Sequence, residues 1–118
     1  MYIDEFRDYC LQINGVEESM PFGPDALVFK VMNKMFAVTD VTRERFEVNL
    51  KCDPHRAIRL RESYPDITPG WHMNKKHWNT VSFEGSLSDN FLKELIDHSY
   101  SLVVANLTKK ERAVLDSL

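Results

Sequence analysis

A chain of 118 residues, 43% hydrophobic and 28% charged, is long enough to bury one real core and too short for two, so a single domain over residues 1–118 is expected. That composition excludes disordered, collagen-like and disulfide-scaffold classes, and the longest apolar runs are too short to cross a bilayer. The net charge of −3 argues against a uniformly basic nucleic-acid binder, yet the charge is segregated: residues 1–25 hold six acids against Arg7 alone, whereas residues 43–77 hold eight Lys/Arg against five acids.

Residues 2–14 place Ile3, Phe6, Cys10 and Ile13 at helical spacing with Asp4, Glu5 and Asp8 on the other face, which predicts an amphipathic helix. This acidic beginning lacks the basic start and apolar block of a signal peptide, so the cytoplasm is the expected compartment and Cys10 and Cys52 are expected as reduced thiols. Gly15 and the Pro21-Phe-Gly-Pro24 cluster predict a loop. From Ala26 the period becomes two: Leu27, Phe29 and Val31, then a Met32–Lys34 turn, then Met35–Thr39, which together read as a hairpin. Phe46, Val48 and Leu50 alternate with Arg45, Glu47, Asn49 and Lys51, predicting a third strand with one face in a core and one in water.

Asp53-Pro54 is a helix start, because Asp caps free amides and proline is tolerated at the first helical position. The helix is expected to end near Ser63, with a short extended piece at Ile67–Pro69 and a further strand over residues 77–83. Ser88 caps a last long helix, and residues 107–112 are expected to add another helical turn or two. The order α-β-β-β-α-β-α with short connections predicts an α+β two-layer sandwich, its helices packed on one face of an antiparallel sheet.

The chemistry-bearing stretch is Pro69-Gly-Trp-His-Met-Asn-Lys-Lys-His-Trp-Asn-Thr80, which packs two tryptophans, two histidines and two lysines into twelve residues without an acid. Lys51, Arg56, Arg59, Arg61, Lys75 and Lys76 extend this into a basic surface suited to phosphates. Trp78, on a strand, is expected in the core, and Trp71 is a second loop anchor. Other chemistries are poorly supplied. Cys52 and His55 form a conceivable nucleophile pair but lack an orienting acid, and His55, His72 and His77 match no zinc spacing. The acids Asp4, Glu5, Asp8, Glu17 and Glu18 read as a solvated face rather than a cation site. Four glycines, none in a phosphate-loop pattern, give no cofactor, and no lipidation signal points to a membrane.

The twelve-residue stretch, with Phe29-Lys-Val-Met-Asn-Lys-Met-Phe36, Asn49-Leu-Lys-Cys-Asp-Pro54 and Ser99-Tyr-Ser-Leu-Val103, resembles the MmcQ/YjbR family of small bacterial proteins. The resemblance implies a CyaY-like fold and a non-enzymatic DNA-binding role through a double wing of strand loops. On this chain the wings would be the Met32–Lys34 turn and the Trp71–His77 loop, with Lys34, Lys75 and Lys76 on phosphates and Asn74 at a base edge. With the loop composition, this makes Lys34, Lys51, His72, Asn74, Lys75, Lys76 and His77 the candidate DNA contacts. Two other classes compete: a protein-interaction module using the aromatic loop, and frataxin-like metal handling by the amino-terminal acids.

Overall fold

The computed structural model describes residues 1–118 as α1 (Ile3–Leu11), β1 (Val16–Ser19), β2 (Ala26–Val31), β3 (Lys34–Asp40), β4 (Glu47–Lys51), α2 (Pro54–Ser63), β5 (Ile67–Pro69), β6 (Trp78–Ser82), α3 (Asp89–Ala105) and α4 (Lys109–Asp116). The six strands form one sheet in the order β1-β2-β3-β4-β6-β5, with every neighbouring pair antiparallel. The helices lie on one face of it. Phe6 and Cys10 of α1, Ala57 and Leu60 of α2, Leu92, Leu95, Ile96 and Val103 of α3 and Leu115 of α4 share one core with Phe29, Val31, Val48, Leu50 and Val81 of the sheet. Phe6 stands edge-on to both Phe29 and Phe83, with ring centroids 5.1 and 5.3 Å away.

The expected α+β sandwich is therefore present, with additions. β1 falls where a loop was expected; it is a short edge strand whose Glu17 opposes Lys30 and whose Glu18 pairs with Arg7 of α1. Short length and charge blunt that edge against further pairing, and at the other edge β5 is three residues ending in Pro69. The helix starts follow their capping chemistry. Asp53 accepts from the amides of His55 and Arg56, Ser88 from Phe91, and Thr108 and Glu111 close a reciprocal capping box on α4.

The β2–β3 turn is tighter than the expected Met32–Lys34. Met32 and Asn33 alone form it, both with positive φ (47° and 64°), as a two-residue primed turn requires, and Lys34 is already the first residue of β3. A bulge lies just inside the hairpin, where Phe29 pairs with Ala37 but Lys30 with Met35, leaving Phe36 extra. The bulge turns Phe36 into the core, edge-on to Tyr100 of α3.

Candidate nucleic-acid interface

Antiparallel register decides which loops share an end of the sheet. Val31 pairs with Lys34, Ala37 with Leu50, Lys51 with Trp78 and Pro69 with Asn79, so the β2–β3 turn, the β4–α2 junction and the β5–β6 loop all emerge at one end. Three strand spacings separate the turn from the loop, or about 14 Å. The pair of Lys34 Nζ with Glu111 Oε1 at 3.1 Å brings the first turn of α4, with Lys109 and Lys110, to the same end.

The β5–β6 loop is held by many backbone contacts. Gly70 N–H donates to Trp78 O at 2.9 Å, and a Cβ on Gly70 would sit 2.8 Å from Trp78 Cβ, so only glycine fits this close approach. Asn74 Oδ1 accepts from the amides of Lys76 (2.9 Å) and His77 (3.3 Å), and His77 O accepts from Cys52 N–H at 2.9 Å. Arg61 of α2 fastens the loop from the helical side: its Nε donates to Asn79 Oδ1 at 2.6 Å, and its Nη2 donates to the carbonyls of Lys75 and Trp78. Asn79 is buried facing the helices and reaches Ala57 O.

The expected contacts divide accordingly. Lys75, Lys76, His72 and His77 are exposed on the loop, although Lys75 Nζ is folded back onto Gly70 O at 2.7 Å. Lys34 is exposed but half neutralised by Glu111. Asn74 works as the loop's internal cap through its carboxamide oxygen, while its exposed amide nitrogen makes no bond within the protein. Lys51 shares this end but lies on the helix-free face, its ammonium 5.6 Å from the Trp78 ring. Trp78 is buried, but on the helix-free face opposite Lys51 rather than in the shared core where it was expected, because Asn79 and Val81 are the β6 residues that face the helices. Trp71 is 44% exposed; its amide donates to Thr80 Oγ1, its carbonyl accepts from Asn49, and Arg43 lies 4.4 Å over its ring. It anchors the loop to the open sheet face rather than to the core.

Neither competing chemistry finds its geometry. Cys52 is buried, and burial pushes its thiol up to about 11, which keeps it from being a thiolate nucleophile at neutral pH. No three His, Cys, Asp or Glu side chains are grouped to hold a metal ion, and Glu18 is committed to Arg7.

The YjbR family model matches residues 11–102. The chain belongs to the YjbR family. It is 36% identical over 118 residues to the uncharacterized protein YjbR of Escherichia coli strain K12, covering 100% of both chains. It is 40% identical over 103 residues to the uncharacterized protein YbdF of Escherichia coli O157:H7, spanning 87% of this chain and 84% of that one. The crystal structure of Deinococcus radiodurans protein DR2400, a DUF419 domain, superposes with a TM-score of 0.90 at 40% identity over 97% of this chain and 87% of that one. A Pseudomonas syringae protein superposes with a TM-score of 0.77 at 28% identity, over 86% and 98% of the two chains.

In this YjbR-family chain the fold also sorts the charge. The end opposite the loops carries Asp4, Glu5, Asp40, Glu44, Glu84 and Asp89, against Arg43 and Arg45, around a cleft of about 870 Å³, where the amino-terminal ammonium donates to Phe83 O and meets Asp89 at 3.5 Å. At the loop end Glu94 pairs with Arg56 in the first turn of α2, and two further carboxylates are engaged: Asp53 caps α2, and Glu111 caps α4 while pairing with Lys34. Hydrogen bonds from backbone amides are the leading reason both stay below the usual carboxylate range. Lys109 and Lys110 join this surface without any local signal in the sequence. No helix is long and apolar enough to cross a membrane.

Proposed function

We propose that the loop end of the sheet binds duplex DNA without catalysing a reaction on it. The observation that carries this is the placement of the β2–β3 turn and the β5–β6 loop at one basic end, about 14 Å apart, close to the roughly 12 Å width of a major groove. Two wings at that spacing reach phosphates on either side of one groove. The acidic residues gathered at the far end reconcile a net charge of −3 with a locally cationic face, and they orient the molecule in the field of the phosphates.

Among the cations without a carboxylate partner at this end, Lys75, Lys76, Lys109 and Lys110 are the exposed lysines, and four phosphate contacts give a slope of log affinity against log salt of about −3.6. Fluorescence anisotropy of a labelled duplex should then show roughly hundredfold weaker binding at 200 mM than at 50 mM salt. Lys75→Glu with Lys76→Glu should abolish binding at both. Absence of binding at 50 mM, or indifference to the double substitution, removes this reading. In that event the exposed Trp71 with Arg43 stacked on it favours a protein partner, recognised by salt-tolerant capture that Trp71→Ala eliminates.

A further inference from the structure

Between α2 and the β5–β6 loop lies a cleft of about 640 Å³, lined by Pro54, His55, Ile58, Arg61, Lys75 and Lys76. That size is within the range of small-molecule sites, and the lining contains no acid. Arg61 is its unusual member. Arg7, Lys34, Arg43, Arg56 and Arg112 each pair with a carboxylate, but half-buried Arg61 pairs with none; it is held only by neutral oxygens of Asn79, Lys75 and Trp78. Cations withdrawn from water are ordinarily paired. Its Nε and Nη2 are engaged, which fixes the guanidinium plane, while Nη1 makes no bond within the protein and is left as a preoriented donor.

Around it stand the exposed Lys76 and His55, and Ile58, an aliphatic side chain 53% exposed on an otherwise polar helix face. The free amides of the α2 amino terminus play no part, since Asp53 already accepts from them. We propose that this cleft binds a phosphomonoester, with a nucleoside monophosphate as the ligand class: phosphate between Arg61, Lys76 and His55, and the sugar or base against Ile58. A phosphomonoester carries about −1.5 to −2 charges near neutral pH, which matches a cluster of two fixed cations and an imidazole better than the single charge of a backbone diester does. The ligand is either a free nucleotide or the phosphorylated end of a nucleic acid strand. This inference goes beyond the duplex reading and does not depend on it.

The test is calorimetric titration of the whole chain with thymidine 5′-monophosphate and with thymidine, beside a 5′-phosphorylated oligothymidylate and its 5′-hydroxyl counterpart. At least one phosphorylated probe should bind tenfold or more tightly than its unphosphorylated partner, and which of them does identifies the source. His55→Glu, which puts a carboxylate on an exposed position in the cleft, should weaken that probe at least tenfold; Arg61→Gln should do the same where its circular dichroism matches the parent. Ile58→Trp should fill the cleft and weaken the nucleotide tenfold while leaving duplex affinity within twofold, because every lysine stays in place. No dependence on the phosphate, or affinity unchanged by His55→Glu, overturns the proposal. Duplex binding lost while nucleotide binding persists overturns only the DNA reading.

Discussion

Ser99→Ala removes one oxygen from the protein and should cost far more than its size implies. The Ser99 hydroxyl is fully buried on α3; it accepts from Lys51 N–H at 2.9 Å and donates to Phe36 O at 2.5 Å. With Ala37 opposite Leu50, Phe36 and Lys51 face one another across β3 and β4. The hydroxyl thus bridges the two strands just beyond Ala37–Leu50, where their own pairing stops. Alanine strands one buried donor and one buried acceptor at about 1–3 kcal/mol each, and partial relaxation puts the expected loss at about 2–4 kcal/mol. An unfolding entropy of about 2.1 cal/mol/K per residue gives about 0.25 kcal/mol/K for a chain of this length, hence a fall in Tm of roughly 8–16 °C. Ser101→Ala is the internal control, since its exposed hydroxyl donates only to His98 O within the same helix, and surface changes usually stay within about 0.5 kcal/mol. Thermal unfolding followed by circular dichroism compares them. If Ser99→Ala melts within 2 °C of Ser101→Ala, the bridge is not holding the end of β4, and the reasoning fails.

Glu111→Gln keeps the capping oxygen for Thr108 but frees Lys34, so duplex affinity at low salt should rise and the salt slope should steepen by about 0.9; an unchanged slope means that Lys34 reaches no phosphate. Gly70→Ala drives a Cβ to within 2.8 Å of Trp78 Cβ and 2.9 Å of Trp78 O, and should cost about 1–3 kcal/mol in urea unfolding while weakening DNA binding through the displaced loop; parental stability refutes the close-packing argument. His98 Nε2 accepts from Asp53 N–H at 3.2 Å, and burial, seconded by Arg56, lowers its pKa below the usual histidine value. The unfolded chain therefore binds a proton that the folded chain resists, and stability is lost as pH falls from about 6.5 towards the folded value. His98→Gln, which keeps an acceptor, should flatten the change in unfolding midpoint between pH 7 and pH 5; an undiminished change assigns it elsewhere.

Much of the fold is legible in the chain because its causes are local. Asp53-Pro54 and Ser88 name their helix starts through hydrogen bonds spanning two or three residues, and alternation at Val48 and Leu50 names a strand with one buried face. β1 escapes such a reading. Val-Glu-Glu-Ser has two acids in four residues and no hydrophobic run, and only pairing with β2, backed by Arg7 on Glu18, makes it a strand. Lys34 is misplaced by one residue because the two positive-φ residues, not three, complete the turn. Asn74 is equally ambiguous in sequence: an exposed asparagine among lysines suits a base edge or a turn cap, and only the loop backbone shows that its oxygen serves the cap.

By itself the sequence determines the α+β class, the helix starts, the buried Trp78, the family and the basic character of the segment from Pro69 to Thr80. Only the tertiary structure decides what that segment stands beside. Antiparallel register carries the β2–β3 turn and the β5–β6 loop to one end of the sheet, and Glu111 draws Lys109 and Lys110 to the same end across 77 residues of chain. Arg61 shows the difference most clearly, as a helix arginine indistinguishable in sequence from Arg59 that becomes a half-buried cation with no carboxylate partner. Capping and periodicity act over a few residues and are written in their order, whereas electrostatic fields depend on distances that exist only once the sheet has closed its register.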